Sequence, residues 1–597
     1  MSFTAANAAR VDVLIVGAGP AGLMAANALT RAGVNIRIVD LRPTSVSYGQ
    51  ADGIMPRTME LFNSYGLADG FFKRANQINM VAFYNTREGG GIHRTAKGPV
   101  INAPTARYPF ITSLNQGAIE SMFLDSLGGH GIIIDRPTRP TSLTLSKDEK
   151  ELQDPNSYPV TAILEHLQTE NKEAYNETVH AKFVIGADGA HSWVRGALDI
   201  EMEGEQTDHV WGAIDFTTTS EATFPDWRNI CTINAANTTM MLIPREQDKL
   251  RLYIELGLEN GLIDTATGRV APQNIDSKRL LEIAEEGLKP YALPPANIEW
   301  WTCYVVGQRV ASRFSIQQRA FIVGDACHTH SPKGGQGMNV SMNDSHNLAW
   351  KLAYVVRGWA GLDLLKTYEF ERRKFAQELI SFDKWYEAGF STKARSELFD
   401  DKEKKAFLAF SGLTSGVGVQ YDPSIIVTAT KQDSPVKLAL GQRIPPKIVL
   451  RAVDSTPIEI QDMCPSDTRF KIAVFTGDIT KPSQLDLLRT FAKEIFREGS
   501  PLEKLGSDAF DIFSVIKGEK DTVNYLDVPV VLRSHFYKVL LDAIDVTGTK
   551  GGKVYEDYGV PPEGGVVVVR PDGYVASITG LDEPVELENY FAKFLTI

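Results

Sequence analysis

Gly17-Ala18-Gly19-Pro20-Ala21-Gly22 follows directly on the apolar run Val11-Asp12-Val13-Leu14-Ile15-Val16 and opens a helix-like stretch. A second strand-like run, Ile36-Arg37-Ile38-Val39, ends on Asp40, with Leu41 and Arg42 next to it. Strand, glycine turn, helix, strand and acid in this order form the fingerprint for the ADP half of a dinucleotide. Gly17 permits the tight turn, Gly19 lets the backbone approach a pyrophosphate, and Gly22 lets helix and strand pack closely. Phosphates would rest on the helix N-terminus, where unbonded N–H groups and the macrodipole favour anions. Asp40 stands at the distance of about 20 residues expected of the acid that accepts ribose hydroxyls. The fingerprint alone leaves FAD and NAD(P) both open.

A second group of residues lies three hundred positions later. The apolar run Ala320-Phe321-Ile322-Val323 delivers Gly324-Asp325, and Gly334-Gly335-Gln336-Gly337-Met338-Asn339 then opens a long helical pattern. Asp325 could accept hydrogen bonds from a polyol, and the glycine turn could present N–H groups and a helix dipole to an electron-rich ring. The plainer reading is a strand-to-helix connection with a capping aspartate. Asp188-Gly189, after Val184-Ile185-Gly186-Ala187, is either a third cofactor contact or an ordinary turn.

The elements around these motifs set the fold class. Met55–Leu67, Gln116–Leu127, Asn339–Gly358 and Thr367–Trp385 read as helices. Between 210 and 306 the texture turns to strands: Val210–Phe216, Thr239–Pro244, Lys249–Leu256 and Trp300–Val305, with Ile78–Tyr84 and Tyr108–Thr112 of the same kind. The expectation is a nucleotide-binding α/β unit interleaved with a mostly antiparallel sheet. From about 437 a new unit begins, with strands Phe470–Thr476, Val566–Val569 and Tyr574–Ile578, a Pro571-Asp572-Gly573 turn, and helices Ser483–Glu494 and Leu587–Leu595.

With 597 residues the chain exceeds what one core can serve, which argues for two or three domains. A net charge of −12 argues against a nucleic-acid partner. No apolar run is long enough to span a membrane, and the first ten residues lack a signal-peptide pattern. The last residues, Phe594-Leu595-Thr596-Ile597, are no peroxisomal or ER address. Cys231, Cys303, Cys327 and Cys464 form no C-x-x-C pair, which points to free thiols in a reducing cytoplasm. His328 and His330 are too few for a metal site, so no metal is expected.

The three motifs, in this order, resemble the FAD-dependent aromatic hydroxylases, the single-component class A flavoprotein monooxygenases. The resemblance spans roughly residues 11 to 375, and the Gly334–Asn339 run matches that family's turn beside the flavin pyrimidine. The phenol 2-monooxygenase branch is closer still. Gly49-Gln50-Ala51-Asp52-Gly53 with Pro56-Arg57-Thr58 looks like its loop beneath the flavin. Leu114-Asn115-Gln116 looks like its flavin-contacting Asn-Gln, and Leu250-Arg251-Leu252-Tyr253 like its active-site strand. The resemblance implies FAD held by Gly17, Ala18, Gly19, Pro20, Ala21, Gly22, Asp40, Leu41, Arg42, Gln50, Ala51, Asp52, Gly53, Gln116, Asp188, Tyr253, Gly324, Asp325, Pro332, Gly335, Gln336, Gly337, Met338 and Asn339. It also implies Asp52, Arg251 and Tyr253 as the catalytic trio, with Tyr253 bonding a phenolic oxygen and Asp52 involved in deprotonation. Alternation by itself reads Arg251 and Tyr253 as the solvated face of a half-buried strand, and Asp52 as a turn former.

The fold implied is α/β. A Rossmann-like FAD domain (about 1–76, 113–205 and 307–394) is interleaved with a mostly antiparallel substrate sheet (about 77–112 and 206–306). A linker spans 395–436, and a thioredoxin-like domain spans 437–597. That last domain has Thr476-Gly477-Asp478-Ile479-Thr480 where a thioredoxin carries C-x-x-C, which excludes thiol redox chemistry there. A homodimer follows from the resemblance. No second glycine fingerprint marks a separate NAD(P) domain, as in this family, where NADPH (or NADH) reduces a mobile flavin directly. O₂ then gives a flavin C4a-hydroperoxide, and a phenol is hydroxylated, ortho to its hydroxyl. Two competing readings are oxidative decarboxylation of a hydroxybenzoate on the same fold and a non-catalytic flavin-binding scaffold or sensor.

Overall fold

The computed structural model describes residues 9–49, 51–170, 173–256, 263–264, 269–270, 275–331, 334–390, 411–429 and 437–596. Its first sheet is built on parallel pairing. Ala9–Val16 lies between Ile36–Val39 and Tyr175–Gly186, and Ala320–Ile322 flanks the latter. Val16 pairs with Val39 on one side and Gly186 on the other, and Gly186 pairs with Ile322. The register therefore brings four strand ends to one edge. Gly17, Asp40, Ala187-Asp188 and Gly324-Asp325 all emerge there, at the carboxyl ends where open α/β sheets bind ligands. The strands are buried on both faces, which is why they read as unbroken apolar runs.

Pro20–Arg31 starts with a proline at its first helical position and has no side-chain cap, so its N-terminal N–H groups stay available. It packs across the Gly337–Val356 helix, where Ser345 Oγ donates to Ala21 O at 2.7 Å. The helix expected over Met55–Leu67 is shorter, Pro56–Ser64, because Gly66 adopts φ +68° and ends it. The antiparallel strands Thr138–Leu145 and Val160–His166, which extend Tyr175–Gly186 as a ribbon, were not anticipated. Their mixed polar sequence gives only a weak period of two.

The second sheet has eight strands. All its pairings are antiparallel except Ile230–Asn234 against Met80–Thr86. Two 17-residue strands, Met202–Thr218 and Pro295–Ala311, are its spine. One face packs on the Ser277–Leu288 helix, where a Cβ on Gly212 would lie 2.5 Å from Leu280. The opposite face carries Trp211, Ala213 and Tyr253, with Met241, Ile243, Trp300 and Tyr304 against them. Lys249–Leu256 is thus buried on both faces, and the half-solvated reading of that strand does not hold: Arg251 is 0% and Tyr253 5% exposed.

The C-terminal unit is a seven-stranded mixed sheet. Phe470–Gly477 runs parallel to Phe510–Lys517 and antiparallel to Gly565–Val569, whose hairpin partner is Val575–Thr579. The helices Pro482–Ile495 and Pro584–Ala592 pack together over it. Trp350 and Tyr354 of the Gly337–Val356 helix belong to the same apolar core as Phe470 and Phe591. The turn of the Gly565–Thr579 hairpin drives Arg570 and Asp572 into a fully buried network with Glu371 and Lys351. Asp572 O also accepts from Arg57 Nη2 at 2.6 Å. Among the described residues, no helix is long and apolar enough to cross a membrane, and no group of three or more His, Cys, Asp and Glu side chains could hold a metal ion.

Candidate active site

A cavity of about 840 Å³ opens at the shared strand ends. It runs from the glycine turn, past Asp188 and Asp325, to Tyr253 and Tyr304 on the antiparallel sheet. Its glycines divide the work by geometry. Gly17 sits at φ +102°, and a Cβ there would lie 2.4 Å from Ala187 O. A Cβ on Gly22 would lie 1.9 Å from Gly17 O, whereas one on Gly19 would meet nothing within 4 Å. The turn is tight where strand and helix meet and open where a pyrophosphate would approach.

Most of the expected cofactor residues border this cavity: Gly17, Gly19, Pro20, Ala21, Asp40, Leu41, Arg42, Ala51, Asp52, Gly53, Gln116, Asp188, Tyr253, Asp325, Gly335, Gln336, Gly337 and Met338. Four stand behind its wall. Ala18 N donates to Asp40 Oδ2 at 2.7 Å, and Gly22 is packed beneath the turn. Gly324 backs onto Ser341. Asn339 accepts from Met55 N at 2.9 Å and donates to Gly53 O and Gly335 O, both at 2.8 Å, so it stitches the loop that carries Asp52 and Gly53 to the helix turn. Gln50 and Pro332 lie outside the described residues.

The three acids at the strand ends differ in what already holds them. Burial opposes the Asp40 charge, but Arg42 and the Ala18 N–H outweigh it and keep its carboxyl below the usual range. Burial raises the Asp188 carboxyl even though Ser192 Oγ and Val194 N donate to it, at 2.5 and 3.0 Å. Those bonds brace the turn into Trp193–Ala197, so Asp188 serves local structure as well as the cavity. Asp325 is exposed and borders the cavity, and the Ser341 hydroxyl donates to it at 3.3 Å. It is the acid best placed for a ribityl chain. A hydrogen bond to a charged group contributes about 1.5–3 kcal/mol. Asp325→Ala should therefore weaken FAD binding at least about tenfold, as read by fluorescence titration of apoprotein; an unchanged affinity would remove Asp325 from the contact.

At the far end Asp52, Arg251 and Tyr253 come together, joined by two residues the sequence reading missed. Arg251 bonds Asp215 through both Nε and Nη2, at 2.6 and 2.8 Å. Arg245 Nη1 reaches Asp215 Oδ2 at 3.0 Å. Asp52 Oδ2 lies 3.6 Å from both guanidinium groups and accepts no hydrogen bond from the described residues. Arg251 Nη1 donates to Tyr253 Oη at 3.3 Å, and its Nη2 holds Gly49 O at 2.8 Å, which anchors the loop that carries Asp52. Trp300 stacks 4.9 Å from the Arg251 guanidinium. Burial opposes the Arg251 charge, but Tyr253, Asp52 and Asp215 outweigh it and hold its pKa well above the ordinary value. Burial pushes the Tyr253 hydroxyl up to about 12.

Asp215 was legible in principle. It is the one charge in Val210-Trp211-Gly212-Ala213-Ile214-Asp215-Phe216, and it pairs in register with Arg251. Arg245 follows Pro244 in a turn, where a charge carries no signal. Tyr304 borders the cavity and Trp211 lies in the adjoining aromatic cluster; both hide in ordinary strand alternation. His330 also borders the cavity. Its Nδ1–H donates to Ser331 O at 2.9 Å, and the Nε2 edge of the ring faces the Gly337 turn.

Comparison with known proteins accounts for this arrangement. Residues 10–383 match the FAD binding domain family, and residues 419–597 match the phenol hydroxylase C-terminal dimerisation domain. A phenol 2-monooxygenase of Aspergillus fumigatus is 34% identical over 97% of this chain and 96% of its own. A 3-hydroxybenzoate 4-monooxygenase of Comamonas testosteroni is 34% identical over 99% of this chain and 96% of its own. The crystal structure of aklavinone-11 hydroxylase with FAD and aklavinone has a TM-score of 0.72 at 24% identity, covering 98% of this chain and 99% of that one; the likeness is one of fold. These relatives are enzymes, so the scaffold-or-sensor reading is set aside. The chain belongs to the phenol hydroxylase family of FAD-dependent aromatic monooxygenases, which use O₂ and a reduced nicotinamide.

Proposed function

We propose that this enzyme hydroxylates a phenol that carries no ring carboxylate, ortho to its hydroxyl, with NADPH as reductant. The observation that carries the substrate class is the charge balance at the buried end of the cavity. Arg245 and Arg251 are both bonded to Asp215, and Asp52 and Glu246 lie against them. Three carboxylates thus face two arginines, so a substrate carboxylate would meet net negative charge in a low-dielectric pocket. Among the described residues lining the cavity, the arginines are Arg42 and Arg139, the former beside Asp40 at the ADP end. Decarboxylating hydroxylation of a hydroxybenzoate would need a cation at the opposite end. The ortho position and NADPH rest on resemblance to the phenol 2-monooxygenases.

When bound, the flavin supplies reduction of O₂ and delivery of one oxygen atom to the ring. The protein's part is to make the ring electron-rich. Arg251 donates to the Tyr253 oxygen, so Tyr253 can give its own proton to the substrate oxygen. With its hydroxyl pushed up to about 12, Tyr253 stays protonated and remains a donor at neutral pH. The Asp52 carboxylate, which borders the cavity, is the acceptor for the phenolic proton. The aromatic wall of Trp211, Trp300 and Tyr304 excludes water from the same end. Tyr253→Phe should lower hydroxylated product per NADPH about tenfold or more, with H₂O₂ replacing it and FAD still bound. Product yield equal to the parent's would end the role given to Tyr253.

The proposal extends to assembly, compartment and domain limits. The domain division at 394 and 437 and the reducing cytoplasm are retained; all four cysteines are unpaired. The chain forms a homodimer, as the matched dimerisation domain suggests. Leu526, Val530, Val531, Phe536, Tyr537 and Val546 place large exposed apolar side chains on one stretch of that domain. Val530→Asp with Val546→Asp should convert a dimer to a monomer in light scattering; an unchanged mass would move the interface elsewhere.

A further inference from the structure

A second, small cavity lies behind the flavin turn, where the FAD domain, residues 415–419 and the C-terminal domain meet. Its volume is about 20 Å³, enough for one water-sized or slightly larger occupant. Gln336 and Asn339 of the flavin turn form one wall, and Ser415 and Tyr574 lie among the others.

Two buried guanidinium groups border it. Arg57 is 7% and Arg372 1% exposed. Arg57 uses Nη1 on Glu60 and Nη2 on Asp572 O, and its Nε–H has no partner among the described residues. Arg372 uses Nε on Asp344 and Nη1 on Tyr421 Oη, and its Nη2 has no partner among the described residues. Buried unpaired donors of this kind are rare in native proteins and call for a ligand. Thr58 Oγ1, fully buried, accepts from Asn343 Nδ2 at 3.3 Å, so its own proton can also turn to the cavity.

The charges around the cavity do not balance. Asp344 answers Arg372, but Glu60 is shared between Arg57 and Arg443, at 3.2 and 3.1 Å. The adjoining Lys351, Arg570, Glu371 and Asp572 cancel among themselves. No acidic side chain is among the described residues lining the cavity. A water could accept both arginine N–H bonds, but it would leave one positive charge buried without a counterion, which is costly. A single small anion would satisfy the donors and the charge together.

We propose that this cavity is a binding site for one monovalent anion of chloride size, and that the anion braces the back of the flavin turn. It would join the Pro56–Ser64 and Asp363–Phe390 helices to the Gln336–Asn339 wall. The site is separate from the flavin cavity and independent of the substrate reading above.

Bromide is the probe. Crystals of the holoenzyme in sodium bromide, measured at the bromine absorption edge, should show an anomalous peak within hydrogen-bond reach of Arg57 Nε and Arg372 Nη2. Arg372→Gln should remove it. The wild-type measurement stands alone if that variant does not fold. Bromide peaks elsewhere on the molecule with a water in this cavity would overturn the site. FAD should bind the apoprotein several-fold more weakly in gluconate than in chloride at equal ionic strength. Equal affinities would overturn the bracing role.

Discussion

Asp215→Ala should be among the most damaging single substitutions in the catalytic domain. It removes the two bonds from Arg251 to Asp215 and the one from Arg245, and it leaves the guanidinium groups opposed by Asp52 at 3.6 Å and, at Arg245, by Glu246. Removing one partner of a buried, hydrogen-bonded ion pair costs up to about 3–5 kcal/mol, and Asp52, at 3.6 Å from both guanidinium groups, offsets only part of the lost contact. The loss should appear as a lower temperature of flavin release and as loss of hydroxylation, since Arg251 also holds Gly49 and Tyr253. Asp215→Asn keeps the shape and one acceptor, and should fall between the two. An Asp215→Ala protein with parental stability and activity would show that the pair is incidental.

Asp52→Asn should leave FAD bound and slow ring hydroxylation by about 10²–10⁴, the range for loss of a positioned general base. The pH dependence carries the test. With Asp52 as the proposed acceptor of the phenolic proton, hydroxylation in the parent should not wait on the substrate's own ionisation. In the variant the rate should climb as pH approaches the phenol's own pKa, about 10 for a tyrosine-like phenol. Tyr253, pushed up to about 12, stays a donor over most of that window. Single-turnover hydroxylation measured from neutral to alkaline pH separates the cases. Parallel profiles for parent and variant would remove Asp52 from the proton path.

Much of the cofactor end is legible in the sequence because its residues are constrained locally. Gly17, Gly19 and Gly22 act within one turn, and Asp40 ends a strand whose register is set by its own apolar run. The catalytic end is less legible. Arg251 and Tyr253 sit two apart on a strand, a spacing that reads equally well as a solvated face. Only the Gly49–Gly53 loop from one side and the aromatic cluster from the other bury them. Asp215 enters through cross-strand register, and Arg245 through a turn that folds back on the same acid. Neither is a local property of its segment. The burial of Arg57 and Arg372 is less local still, since the C-terminal hairpin closes over Arg57 from more than five hundred positions away.

The joint between domains also bears on catalysis. Asp572 O holds Arg57, whose backbone N–H donates to Ser415 O, and Gln336 Nε2 donates to Thr414 O. The loop under the flavin and the turn at the Gly337–Val356 helix are thus both held from outside the catalytic domain. The strand Phe470–Gly477 is followed by Asp478-Ile479-Thr480, not by a C-x-x-C pair.

The central claim, that the buried charge cluster selects a phenol without a carboxylate, is tested most directly with the unmodified enzyme. Phenols and the matching hydroxybenzoates are compared for stimulated NADPH oxidation, with hydroxylated product and H₂O₂ measured in each case. The account predicts that simple phenols stimulate oxidation and yield nearly one hydroxylated product per NADPH, while hydroxybenzoates stimulate weakly. Preference for a hydroxybenzoate, or oxidation that ends only in H₂O₂ across the phenols, would contradict it.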